Sequence, residues 1–144
     1  MKIRPYESGD EAAVVALWSE CGLTRAWNDP KKDIARKLTV QPEWFLVGMD
    51  DATGDDGDKL IASAMFGYDG HRGWVNYLAV STAWQRNGCA RQLMARGEAL
   101  LIAAGYPKLN LQLRTSNSEV LDFYQHLGYA RDDVVSLGKR LIPD

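Results

Sequence analysis

Leu78-Ala79-Val80-Ser81-Thr82-Ala83-Trp84-Gln85-Arg86-Asn87-Gly88-Cys89-Ala90-Arg91 takes the chain from an apolar extended run, through a small-residue turn, into its longest amphipathic stretch. Trp74 to Val80 reads as a strand. Beyond the turn, Ala90, Leu93, Met94, Leu100 and Leu101 follow the 3.6-residue period, and Gly105 with Pro107 supplies the stop, so a helix is expected from Gly88 to Ala104. A helix start leaves about four backbone amides without internal partners and bears partial positive charge. Gly88 lets an anion reach that backbone without meeting a side chain, so a phosphate or pyrophosphate fits. No Gly-Lys-Ser/Thr follows, which excludes a P-loop, and one glycine after a hairpin series is not the dinucleotide fingerprint. A glycine here would equally serve close packing of the helix on the sheet, and the local sequence leaves both readings open.

On the N-terminal side, Ile3 to Tyr6 is extended, and Ala13, Val14, Leu17, Trp18 and Cys21 form a helical stripe closed by Gly22. Asp29 and Pro30 have the chemistry of a cap and a first helical position for a short helix through Ile34 and Leu38. Trp44 to Met49 and Leu60 to Phe66 read as a hairpin joined by a polar Gly-Asp turn from Asp50 to Asp58, and the turn Tyr68 to Gly73 adds the strand Trp74 to Val80. On the C-terminal side, Leu109, Leu111 and Leu113 alternate with polar residues as a strand does. Ser116 and Glu119 have capping-box spacing ahead of a helix through Val120, Leu121, Tyr124 and Leu127, and Val134 to Leu141 is expected to add one more strand. The order β, α, α, β, β, β, α, β, α, β describes one α+β domain over residues 1–144, without repeats or a linker.

Hydrophobic residues make up 46% of the 144, enough to build one core. Seventeen Lys and Arg against nineteen Asp and Glu leave a net charge of -2 and no basic stripe, which disfavours nucleic acid as a ligand. Cys21 and Cys89 form no C-x-x-C pair, so neither zinc nor a disulfide framework is expected, nor any other metal site. No apolar run reaches the length of a membrane span, and Tyr6-Glu7-Ser8-Gly9-Asp10 stands where a signal peptide would need apolar residues. The expectation is a cytoplasmic protein that engages no membrane.

Gln85, Gly88 and Ala90 match the acyl-CoA loop pattern Gln/Arg-x-x-Gly-x-Gly/Ala, and with Leu78-Ala79-Val80 ahead of the loop and Asn117 followed by Tyr124 the chain resembles the GNAT superfamily of N-acetyltransferases. Trp27-Asn28-Asp29-Pro30, Gly67 to Gly73 and Ser136 to Leu141 look like its small bacterial YpeA-type branch. The resemblance implies a mixed, mostly antiparallel sheet flanked by about four helices. It further implies transfer of an acetyl group from acetyl-CoA to a primary amine by direct attack in a ternary complex. The amine would belong to a protein N-terminus, a lysine or a small molecule, and the net acidic chain favours a cationic one. Leu78, Ala79 and Val80 would hold the pantetheine arm by strand addition. Arg86, Asn87, Gly88, Cys89, Ala90 and Arg91 would cradle the pyrophosphate, and Asn117 would contact the arm.

The resemblance makes Tyr124 the acid that protonates the departing thiolate; by helical spacing alone Tyr124 would be a core aromatic. No base is equally legible. Gln112 stands where some members carry a glutamate, leaving Glu119, Asp69, His71 or water to accept the proton. Cys89 reads as a small buried thiol rather than a nucleophile, and His126 as a surface residue. Thr82 replaces a frequent family proline, and Tyr129 to Asp144 is short for the family's closing hairpin. An open acceptor side, or one completed by a second subunit in a homodimer, would follow. A non-catalytic acyl-CoA-binding regulatory module is the alternative reading.

Overall fold

The computed structural model describes residues 1–51 and 58–144, so most of the expected turn between Asp50 and Asp58 lies outside the described residues. β1 (Lys2–Pro5), β2 (Phe45–Asp50), β3 (Lys59–Tyr68), β4 (Gly73–Val80) and β5 (Leu109–Asn110) form one sheet in the order β1-β2-β3-β4-β5. The first four are antiparallel, and β5 runs parallel to β4. α1 (Glu11–Glu20), α2 (Pro30–Lys37), α3 (Cys89–Ala104) and α4 (Ser118–His126) complete an α+β architecture with a mixed, mostly antiparallel sheet, as expected.

Each helix starts and stops for a local reason. The Asp29 carboxylate accepts the Lys31 and Lys32 amides at 2.9 and 3.4 Å, with Pro30 in the first turn, so α2 begins where the cap chemistry placed it. α3 follows Gly88 and ends at Gly105, whose φ of +87° lets the chain leave the helix. α4 differs from expectation: Asn117, not Ser116, caps it, its Oδ1 accepting the Val120 amide at 3.4 Å.

The sheet separates two cores. One packs α3 and α4 through Leu93, Met94 and Tyr124 against Ile61, Ala64 and Phe66. The other packs α1 and α2 through Val14, Trp18 and Ile34 against Phe45, Val47 and Met65. Gly97 is the glycine that close packing demands, because the Phe66 ring occupies the space a Cβ would need.

Two expected strands are corrected. β5 pairs only through Gly73↔Leu109 and Trp74↔Asn110, so the alternation at Leu111 and Leu113 continues without a ladder. No strand forms between Val134 and Leu141. Val134, Val135, Leu137 and Leu141 are 77–91% exposed, and the tail is tied by side chains instead: Asp132 to Lys108, Ser136 to Gln112, Arg140 to Asn28 and Asp144 to Arg36. With no backbone partner beside it, alternation alone cannot make a strand.

β4 contains a bulge. Ser63 faces Ala79 and Met65 faces Asn76, so Tyr77 and Leu78 on β4 stand against Ala64 alone on β3, and Tyr77 takes φ of +53°. The buried Trp18 holds it, stacking on the Tyr77 ring at 3.8 Å between centroids and donating Nε1–H to Ser63 Oγ at 2.9 Å; Ser63 in turn donates to the Tyr77 carbonyl at 3.2 Å. Ser63→Ala leaves the Trp18 donor buried without a partner and releases the bulge. We expect it to lower unfolding free energy by about 1–3 kcal/mol in urea denaturation, with no change of fold by circular dichroism.

Candidate active site

β4 and β5 part after Trp74, so β4 from Val75 onward has no ladder partner on the side facing β5. The opening is a cleft of about 940 Å³ walled by Asn76 to Val80, by Gln85, by Asn117 and Tyr124 from α4, and by Arg25, Asn28, Asp33 and Lys37 from α1–α2. Leu78, Ala79, Val80, Asn117 and Tyr124, expected to act together, are therefore brought to one place. A second cavity of about 860 Å³ lies among α3, β5, α4 and the C-terminal tail, and Tyr124 borders it too.

The Val80 carbonyl already accepts from Cys21 Sγ at 3.2 Å and from Gln85 Nε2 at 3.1 Å. The Glu20 carboxylate accepts the Thr82 amide and hydroxyl, both at 2.7 Å, and the Ser81 hydroxyl at 3.0 Å, tying α1 to the connection that leads into α3. Thr82, in the place of the family's proline, is thus bound through the very amide that proline lacks.

The loop from Arg86 to Arg91 follows Gln85, outside the residues that line the cleft. Arg86 and Gly88 take φ of +67° and +79°. A Cβ at Gly88 would meet nothing within 4 Å, so its backbone conformation, not close packing, calls for glycine. Arg86, Asn87 and Arg91 are exposed, Ala90 is half-buried, and Cys89 is buried in the core with Leu93 and Met94. Only the Cys89 backbone is placed to meet a ligand.

Tyr124 is 5% exposed. No buried side-chain oxygen or nitrogen among the described residues lacks a partner, so the Tyr124 hydroxyl, with no hydrogen bond to a described residue, is not sealed in the core, and the residue borders both cavities. Burial pushes its pKa above the ordinary value of 10.0, which keeps the phenol protonated at neutral pH.

The candidate bases are not gathered there. Asp69 accepts the His71 and Arg72 amides at 2.8 and 2.7 Å and the Trp74 indole N–H at 3.1 Å. Those bonds hold its pKa down at about 2 and make it the organiser of the β3–β4 turn, at the opposite end of β4 from Leu78 to Val80. His71 is exposed in the same turn, Glu119 is exposed, and none of the three lines the cleft. Gln112 donates to Ser136 Oγ at 2.6 Å, also outside it. His126 is exposed, with Nδ1 2.7 Å from the Asp122 carbonyl oxygen.

The resemblance reaches Asp33 and Lys37 only as part of the segment Leu23 to Lys37 that it implies for the acceptor, and it does not reach Tyr77. The Tyr77 hydroxyl donates to Asp33 Oδ2 at 2.6 Å, and burial with that neighbouring carboxylate raises its pKa. Lys37 Nζ donates to the Phe66 carbonyl at 2.5 Å, and burial lowers its pKa. For Asp33 and Lys37 the sequence signal is their nearness to the Trp27 to Pro30 segment; Tyr77 carries no signal beyond its place in the strand Trp74 to Val80. No group of His, Cys, Asp and Glu suited to a metal exists among the described residues, and no described helix is long and apolar enough to cross a membrane.

The sequence model of the acetyltransferase (GNAT) family matches residues 12–129. The chain is 44% identical over 144 residues to a Yersinia pestis (strain Pestoides F) acetyltransferase, covering 100% of this chain and 98% of that protein. Its fold is similar to Ard1 from Thermoplasma volcanium (TM-score 0.76, 21% identity, 90% of this chain and 82% of that one). It is also similar to a chain of the NatC complex bound to Gag peptide and CoA (TM-score 0.76, 20% identity, 92% and 87%).

The Asp69 carboxylate is stabilised by folding, so its contribution is complete above 3.8 and is lost as pH falls toward about 2. We expect Asp69→Asn to flatten the fall of thermal stability across that interval while leaving catalysis unchanged, checked by melting curves and initial rates on one preparation.

Proposed function

This chain belongs to the acetyltransferase (GNAT) family, and from that premise we propose that it transfers an acetyl group from acetyl-CoA to a primary amine by direct attack in a ternary complex. The observation that supports this reading best is the coincidence, along one cleft, of a β4 edge without a ladder partner among the described residues and Tyr124, with the start of α3 reached through Gln85.

Backbone supplies most of the binding in this reading. The first-turn amides of α3 suit a pyrophosphate, with Arg86 and Arg91 adding charge from an exposed rim. The β4 edge suits the amides of a pantetheine arm by strand addition; because the Val80 carbonyl is already engaged, Leu78 and Ala79 would carry more of that pairing. Asn117 spends Oδ1 on the α4 cap and keeps its amide nitrogen for the arm. Such contacts need no basic surface, which suits a chain with a net charge of -2.

Tyr124 would donate its proton to the departing thiolate as the amine attacks the thioester carbonyl. A raised phenol pKa keeps that proton available over the whole neutral range. With Glu119, Asp69, His71 and Gln112 all outside the cleft, solvent in the open cleft would take the amine's proton.

Tyr124→Phe is expected to lower kcat by about 10²- to 10⁴-fold while stabilisation by CoA persists, whereas a non-catalytic acyl-CoA module would show no turnover in either form and keep its stabilisation by CoA. The wild-type rate should show no loss from phenol ionisation up to pH 10.0, because the Tyr124 pKa lies above that value. Acetyl-CoA and CoA, but not ATP, should each raise the melting temperature; at about 100 times the dissociation constant the added stability is roughly 2.7 kcal/mol. Absence of any shift with both coenzymes would overturn the reading.

A further inference from the structure

The acceptor side of the cleft has a local charge opposite to that of the chain. Arg25, Lys37 and Arg114 line it, and Arg140 reaches its rim by donating to Asn28 Oδ1 at 2.6 Å. None of the four forms an ion pair among the described residues. Asp33 is the one carboxylate among the lining residues, and it is already matched by the Tyr77 hydroxyl at 2.6 Å and by Arg36 at 3.7 Å.

The two arginines are held ready for a planar anion. Arg25 donates through Nη1 to the Gly22 and Thr24 carbonyls at 2.7 and 3.0 Å, leaving Nη2 and Nε without a partner among the described residues. The Arg114 guanidinium lies over the Trp27 ring, 5.6 Å from its centroid, which restrains the side chain without using its hydrogen-bond donors. A guanidinium fork with free donors suits a carboxylate. Segments distant in sequence meet here: α1–α2, the strand end at Phe66, the residues before α4, and the C-terminal tail.

Resting on the acyl-transfer reading above, we infer that the acceptor is a small amine that also bears a carboxylate, which Arg25 and Arg114 hold while Lys37 adds positive potential. The same cations disfavour the ammonium form of the bound amine and so favour the neutral nucleophile. This fits a cleft in which Asp33 is the only carboxylate. A polycation, which the net charge alone would favour, meets a wall of its own sign.

The test is acetyl-CoA-dependent thiol release with free amino acids, ω-amino acids and their carboxamides, alongside phosphoethanolamine and spermidine. At least one amino acid should exceed its carboxamide by roughly 10- to 100-fold in kcat/KM, the effect of charge-assisted hydrogen bonds. Arg25→Gln and Arg114→Gln, made separately, should each shrink that ratio without altering CoA-induced thermal stabilisation, while Lys31→Gln, an equal charge change outside the cleft, should leave it unchanged. Carboxamides or spermidine used as well as the acids would overturn the inference, as would preference for phosphoethanolamine or release from none of the acids. Loss of CoA stabilisation in both arginine variants would assign these cations to the coenzyme instead. If even wild type gains no stability from CoA, it is the acyl-transfer reading that fails.

Discussion

The course of β4 along the cleft is set by one local distortion, the bulge at Tyr77. A regular β4 would continue its alternation toward Val80 with both edges presented alike; the extra residue turns the strand and gives Tyr77 a positive φ. Such a conformation is unfavourable for a tyrosine unless its surroundings over-determine it. Here they do: Trp18 stacks on the ring, Ser63 bonds the carbonyl, and Asp33 takes the hydroxyl. α1, α2 and β3 therefore all act on the same residue. The stretch of β4 that lines the cleft is thus fixed by core packing on the face opposite α3.

That arrangement explains how an acidic protein can offer a site for anionic ligands. Free backbone amides at the start of α3 act through direction and proximity, and net charge matters little at hydrogen-bond range. Side-chain charge gathers instead where the α1–α2 segment, Arg114 and the tail come together. In the proposed reading, backbone serves the coenzyme and side chains serve the acceptor. Backbone contacts tolerate change in side chains, so the acceptor side is where a family sharing this fold can vary its chemistry.

Much of this was legible from residue patterns, for identifiable reasons. Asp29-Pro30, Gly88 and Gly105 mark helix ends through chemistry that acts within a few residues, and the structure keeps them where the pattern placed them. Trp18, Phe66 and Leu93 fall in the core as their periodicity demands. The final strand was misread because alternation in Val134 to Leu141 reports suitability for a ladder, and no backbone lies beside it to supply one. The cap of α4 was misplaced by one residue because Ser116 and Asn117 have equivalent local chemistry.

The sequence by itself determined the order of elements through α4 and the glycine turn into α3. These are set by interactions between neighbours in the chain, which a linear reading can follow. Only the tertiary structure decided that Asp69 braces a turn, that Gln112 lies away from the cleft, and that Arg25, Lys37, Arg114 and Arg140 share one wall. The electrostatic role of a side chain depends on which others lie within a few ångströms, and for these residues the neighbours come from segments as far apart as Asn28 and Arg140.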